Sequence, residues 1–265
     1  MSGLLRLELA PPLARIKIDR LPRKNAFNHA MWELLPTLLE QCVDDPETRV
    51  IVMQSSAPGA FSAGADISEF SSRASNPEWM AANQAAIRRA QRDLARVAKP
   101  TLALIEGDCV GGGCGLALAC DIRVASPAAR FGIPAAKLGL SYSLHDTKLL
   151  VDLVGPSQAK RLLFSGQLVP AAEAQRIGLV DLVCEDVPEQ AATLANAIAS
   201  ASPAAIAVIK SVIREILDGQ ADDDARTRHR FEAAFTSEDF KEGVAAFLEK
   251  RPPRFHALRR NAPVE

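Results

Sequence analysis

Residues 5–9 and 14–18 alternate apolar and polar positions with a period of two on either side of Pro11 and Pro12, which predicts a β-hairpin. The pattern breaks over residues 20–25. It resumes over residues 29–43 with helical spacing through Trp32, Leu35, Leu38, Leu39 and Cys42. Residues 50–53 form an unbroken apolar run of the kind that fills a strand buried on both faces, and residues 101–105 form a second. A polar helix rich in Ala and Arg is expected between them, over residues 77–97. A third strand is expected over residues 122–125. This alternation of strands and helices implies right-handed crossovers and a largely parallel sheet. Residues 129–142 carry no period and are expected as an irregular loop, followed by short helices over 146–154 and 157–164. A helix over 171–176 ends at Gly178 and leads into a small strand over 179–184.

Beyond Pro188 the character changes, and residues 189–199, 204–217, 224–235 and 238–249 all have helical patterns. Pro203 stands near the start of one of them, where its missing N–H is harmless. The expected layout is an α/β core over residues 1–187 and a helical region over residues 188–265, with no internal repeat.

The chemistry concentrates in residues 107–121, Gly-Asp-Cys-Val-Gly-Gly-Gly-Cys-Gly-Leu-Ala-Leu-Ala-Cys-Asp. A strand leads into Gly111, Gly112, Gly113 and Gly115, and an apolar helix follows. Glycines let a ligand approach the main chain, and a turn that opens a helix leaves N–H groups unpaired. Backbone donors of this kind suit an anion or a developing oxyanion. The stretch is not a phosphate loop, because no lysine follows the glycines. Nor is it a dinucleotide fingerprint, because Leu116 stands where a glycine is needed. No Gly-x-Ser-x-Gly elbow exists either. A tight turn whose glycines serve packing alone is the competing explanation.

Composition narrows the partners. A net charge of −1 gives no bulk attraction to nucleic acid or membrane, and no apolar run has the length of a membrane span. The five cysteines are scattered and form no Cys-x-x-Cys pair, which points to reduced thiols in a cytoplasmic setting and away from zinc. The first residues, with Arg6 and Glu8 in a short alternation, are unlike a signal peptide.

Two segments together, residues 61–67 (Phe-Ser-Ala-Gly-Ala-Asp-Ile) and 105–121, resemble the two signature segments of the enoyl-CoA hydratase/isomerase (crotonase) superfamily. The resemblance continues through residues 130–134, 138–139, 154–155, 163–166, 174–180 and 237–251. It implies a spiral of ββα turns with C-terminal helices that pack in homotrimers, which often pair into hexamers. It also implies an acyl-CoA thioester as substrate, with coenzyme A as part of that substrate and no tightly bound cofactor. The backbone N–H groups of Ala65 and Gly112 would then hold a thioester enolate oxygen. By the same resemblance Ala63, Asp66 and Ile67 line an adenine pocket. Phe247 and Lys250 reach the coenzyme A of a neighbouring subunit, and Lys24 and Ala26 form a further coenzyme A turn. The spacing around Pro22 is one residue shorter than in typical hydratases.

The chain departs from the hydratase pattern at two positions. Hydratases of the family carry a glutamate where this chain has Gly115 and a second where it has Ala135. Neither residue can exchange a proton, so hydration by a glutamate pair is disfavoured. Isomerisation, decarboxylation and thioester hydrolysis remain, as does an acyl-CoA binding protein without catalysis. The densest set of replacement polar groups lies in residues 140–148. Tyr142, the one tyrosine of the chain, stands three residues after Gly139, as in the family's malonyl-type decarboxylases; the alternative is a packing tyrosine. Asp146 is expected as a helix N-cap and His145 as a base or a surface histidine, the two being unable to face one another as helix neighbours. Lys137 is expected at the surface, Cys114 in packing and Asp121 in structural hydrogen bonds, and the resemblance places Glu69 near the acyl pocket as a further carboxylate candidate. Arg88, Arg89, Arg92 and Arg96 beside Asp93 could bind RNA, but a solvated helix face explains them equally.

Overall fold

A computed structural model describes residues 4–73 and 75–256; residues 1–3, 74 and 257–265, at the outer ends of both predicted regions and within the loop after Asp66, lie outside the described residues. The expected hairpin forms from β1 (Leu5–Ala10) and β2 (Leu13–Ile18), paired antiparallel. β3 (Val50–Ser55), β4 (Thr101–Ile105), β6 (Ile122–Ala125) and β9 (Leu182–Val183) then add in parallel, giving a six-stranded sheet in the order β1-β2-β3-β4-β6-β9. The unbroken apolar runs are explained by cover on both faces. Ile16, Ile51, Met53, Ala103 and Ile105 point into the main core with α1 (His29–Asp44), α3 (Pro77–Arg96) and α4 (Gly112–Ala119). Leu13, Val50, Val52, Leu102, Leu104 and Val124 point the other way, onto Val187, Ala191 and Ala195 of α7 (Val187–Ala199). Period-two alternation therefore serves two cores rather than a core and solvent.

The region expected to be an irregular loop is more ordered. β7 (Arg130–Gly132) pairs with β5 (Asp108–Val110) and with β8 (Val169–Pro170) in a second, three-stranded sheet, and a 3-10 helix spans Pro134–Leu138. These strands are too short to show a period of their own. The helices expected after this loop form one element, α5 (Leu144–Ser165), broken at Gly155 by a left-handed backbone (φ 72°). α6 (Ala171–Arg176) leads to β9, which is shorter than the expected strand. α2 (Ile67–Arg73), not foreseen, buries none of its residues and so carries no apolar stripe. The chain closes with α8 (Pro203–Leu217), α9 (Ala225–Ala234) and α10 (Glu238–Leu248). Among the described residues no single helix is long and apolar enough to cross a membrane.

Candidate active site

The two signature segments lie side by side. Ser62 bridges β5 in parallel: Ser62 N–H donates to the Asp108 carbonyl at 3.2 Å and Val110 N–H to the Ser62 carbonyl at 2.9 Å. On the other side of the segment, Phe27 N–H donates to the Gly64 carbonyl at 2.7 Å and Asp66 N–H to the Phe27 carbonyl at 2.8 Å. Those bonds straddle Ala65 and leave its own N–H unused. Gly64 allows the approach: its φ is +91°, and a Cβ there would stand 2.7 Å from the Gly112 nitrogen. Gly112 is the first residue of α4, where the helix has no internal acceptor for an N–H. Neither the Ala65 nor the Gly112 amide bonds to an acceptor among the described residues. A Cβ on Gly112 would lie 3.3 Å from Ala65 N, so two free donors converge on one half-buried spot. Such a pair can bind an oxygen that gains negative charge, aided by the α4 dipole.

Tyr142 is brought to this spot. Its hydroxyl donates to the Gly111 carbonyl at 3.3 Å, one residue before the Gly112 donor. Burial, followed by the nearby Asp146 carboxylate, holds the phenol well above the usual tyrosine range, so it stays a neutral donor. Gly115 faces two side chains. A Cβ on it would be 2.3 Å from the end of the Gln91 amide and 2.9 Å from the Tyr142 hydroxyl. Gln91, on the buried face of α3, was missed by sequence reasoning. It continues the stripe Trp79, Asn83, Ala86, Ala90 and Leu94, and that spacing was the available signal.

Asp146 is not the N-cap of α5. Ser143 caps the helix, its hydroxyl accepting from Asp146 N–H at 3.0 Å, which puts Asp146 in the first turn with its side chain buried. There its carboxylate meets His145 Nδ1 at 3.2 Å, so the neighbours expected to diverge do pair. With its amide nitrogen facing Asp146, Gln91 donates to both carboxylate oxygens at 3.0 Å. Trp32 also closes on the site. Its Cζ2 would be 3.4 Å from a Cβ on Gly112, and its buried indole N–H has no partner.

The expected coenzyme A residues are placed as follows. Lys24 is exposed with a left-handed backbone (φ 50°), and its carbonyl accepts from Ala63 N–H at 2.9 Å, so these two adjoin. Ala26 is buried and Ile67 is exposed. Asp66 is buried. Burial pushes its carboxyl up, but the Ser68 hydroxyl and the Arg20 guanidinium outweigh this and hold it below the usual range. Ser68 Oγ donates to it at 2.6 Å, and Arg20 lies 2.7 Å away as an ion pair rather than an aligned hydrogen bond. Its side chain is thus committed inward, to Ser68 and Arg20. Phe247, 83 % exposed, and Lys250, also exposed, project from the end of α10.

Other expectations resolve simply. Lys137 is exposed. Cys114 is buried among apolar side chains, and burial pushes the Cys109 thiol well up and that of Cys120 up to about 12, so these thiols pack rather than react. Asp121 accepts from Thr101 N–H at 2.8 Å and tethers the start of β4. Glu69 accepts from His29 N–H at 2.8 Å and is occupied at the start of α1. Arg89 and Arg92 pair with Asp93, and Arg96 with Asp218, as on a solvated helix face. Among the described residues no three His, Cys, Asp or Glu side chains gather to hold a metal ion.

The family profile for enoyl-CoA hydratase/isomerase matches residues 10–258. The chain is 34% identical over 252 residues to the short-chain-enoyl-CoA hydratase of Clostridium acetobutylicum, covering 92% of this chain and 94% of that one. It is 33% identical over 249 residues to the mitochondrial methylglutaconyl-CoA hydratase of Homo sapiens, covering 90% of this chain and 72% of that one. In three dimensions it is similar to an enoyl-CoA hydratase/isomerase family structure from Hyphomonas neptunium, with a TM-score of 0.94, 38% identity, and coverage of 97% and 99%.

Proposed function

We propose a function from the premise that the chain belongs to the enoyl-CoA hydratase/isomerase family: it turns over an acyl-CoA thioester through an enolate held by Ala65 and Gly112. The observation that carries this is the pair of unpaired amides, with Ala65 N lying 3.3 Å from where a Cβ on Gly112 would stand. A thioester carbonyl oxygen placed between them gains charge as a bond to the α-carbon breaks or, in thioester hydrolysis, as water adds to the carbonyl carbon before the thiol leaves, and each donor is worth ~3 kcal/mol in the transition state. Gly115 and Ala135 offer no proton, so the chemistry is isomerisation, decarboxylation or thioester hydrolysis rather than glutamate-driven hydration. Tyr142, neutral and anchored beside Gly112, is the acid we assign, with coenzyme A entering as part of the substrate.

Turnover of a panel of acyl-CoA esters tests this. The reading expects product from at least one short or malonyl-type member and loss of it in Gly112→Pro, which removes the donor at a position where proline fits a helix. A panel without any product, combined with tight acyl-CoA binding that Tyr142→Phe leaves unchanged, would instead establish the second reading, a binding protein without catalysis. That reading is favoured by one observation: Gln91 and Tyr142 already fill the space over Gly115.

The assembly we propose is a homotrimer, or a hexamer of paired trimers, built on the helical end of the chain. A groove of about 1680 Å³ opens between α8, α9 and α10, lined by Ile209, Ile213, Phe231, Phe240 and Val244. It exceeds an ordinary small-molecule pocket, and its apolar lining suits a protein surface. In such an assembly Phe247 and Lys250 would reach the coenzyme A bound by a neighbour.

A further inference from the structure

Gln91 is a long polar side chain buried to 2 % exposure on an otherwise apolar helix face, at a place where leucine or methionine would satisfy packing. Such burial is costly unless both ends of the amide are used. One end of the amide lies 3.0 Å from both Asp146 oxygens, and we assign it as the nitrogen, donating to them. A carboxylate accepts only, so it dictates the direction of the amide, and His145 at 3.2 Å holds that carboxylate from the solvent side. The oxygen end then points toward Gly115, 2.3 Å from the position of a Cβ there.

Gly115 lies three residues after Gly112 on α4, about one helical turn or ~5 Å along the helix, and the amide oxygen stands over Gly115 on the same helix that supplies Gly112, one of the two free backbone donors. An acyl group held by its carbonyl oxygen at those donors spans that gap with its second or third carbon and one hydrogen bond of ~2.8 Å. Resting on the reading that the site binds acyl-CoA, we propose that Gln91 is a specificity-determining residue. It presents an acceptor that selects short acyl-CoA esters bearing a hydrogen-bond donor, such as a hydroxyl, near the β-carbon. Asp146 is its positioning residue.

Isothermal titration of the full-length protein with coenzyme A, butyryl-CoA, 3-hydroxybutyryl-CoA and malonyl-CoA tests this. The wild type should bind 3-hydroxybutyryl-CoA at least ~10-fold more tightly than butyryl-CoA, the effect of one buried hydrogen bond. Gln91→Met, which keeps the volume, should erase that ratio while leaving coenzyme A affinity unchanged. Asp146→Asn frees the amide to turn over and should shrink the ratio several-fold, again with coenzyme A affinity unchanged, a result that a merely structural role would not produce. Equal affinity for the hydroxylated and plain esters in the wild type, or a ratio that survives Gln91→Met, overturns the proposal while leaving the acyl-CoA reading intact. Absence of binding by coenzyme A and all three esters overturns both.

Discussion

The end of the Gln91 side chain is packed so tightly over Gly115 that a Cβ on Gly115 would lie 2.3 Å from it. The volume in which a glutamate at 115 would project is therefore occupied, and the two positions are coupled. Gly115→Ala alone should destabilise the fold by about 1–3 kcal/mol through overpacking. Combined with Gln91→Ala, which vacates the space, the loss should be less than the sum of the single changes, with a coupling of ~1 kcal/mol or more in a double-mutant denaturation cycle. The same coupling governs any attempt to install hydration. Gly115→Glu with Ala135→Glu should yield hydratase activity toward a short enoyl-CoA only when Gln91 is also shortened. Strict additivity of the stability changes would show that Gln91 yields freely.

Much of the scaffold was legible because burial on both faces leaves unbroken apolar runs, as at residues 50–53 and 101–105 within β3 and β4. The approach of the two unpaired amides was legible because backbone approach demands small residues, and Gly64 and Gly112 leave that demand in the letters themselves. The acid–base surroundings were not. N-cap preference pointed to Asp146, whereas Ser143 takes that place, and the burial of Asp146 is decided by Gln91 arriving from another helix. A glutamine among arginines on a polar helix looks solvated until α3 is rotated onto the core. β7 and β8 are created by pairing partners distant in sequence, so no local pattern announces them.

Lys250 adopts a left-handed backbone (φ 55°) at the end of α10, where its N–H donates to the Phe247 carbonyl at 3.3 Å and Arg251 N–H to the Ala246 carbonyl at 3.0 Å. Glycine is the residue that suits this capping turn, and a lysine there carries a backbone penalty of about 1 kcal/mol. Retaining lysine makes sense if its charge is used. Lys250→Gly should leave stability unchanged or raise it by up to ~1 kcal/mol in denaturant titrations, while weakening coenzyme A binding about 5-fold or more by calorimetry. Reduced stability with unchanged coenzyme A affinity would assign the lysine to the fold instead.

That turn also has a pH signature. Arg251 bonds both oxygens of Glu242, at 2.7 and 3.0 Å, and Arg254 N–H adds a third bond; these contacts lower the Glu242 carboxyl to about 2. A carboxyl depressed in the folded state stabilises above its unfolded value of about 4.3, and that contribution is lost as the pH falls toward about 2. The C-terminal turn should therefore exchange its amides faster between those limits in hydrogen-exchange measurements. Glu242→Gln should exchange fast already at neutral pH.

Tyr142 is the one tyrosine in the chain, so ultraviolet tyrosinate absorbance reports it alone. Burial and the Asp146 carboxylate raise the folded phenol well above its ordinary value of about 10. Below about pH 10 both states keep the proton and the stabilisation is complete; above it the unfolded chain ionises first, so stability falls as the pH climbs toward the folded value. The native protein should show no tyrosinate band at pH 10 to 11, and the band should appear together with loss of structure by circular dichroism. Asp146→Asn removes the nearby negative charge and should shift the onset to lower pH. A band that titrates near pH 10 in the folded protein would place the hydroxyl in water and remove Tyr142 from the proposed site.

The apolar face of the C-terminal helices offers the last test, because Ile213 (53 % exposed) and Phe240 (46 %) line the same groove without touching the candidate site. An exposed patch of this size is unusual for a protein that works alone. Sedimentation should show the wild type as a trimer or hexamer, and Ile213→Asp should dissociate it by burying a charge without a partner. Because Phe247 and Lys250 are proposed to reach a neighbour's coenzyme A, the dissociated variant should also lose most of its coenzyme A affinity. A monomeric wild type would overturn the proposed assembly. A dissociated variant with full affinity would mean that each protomer completes its own site, and the lysine at the end of α10 would then need another role.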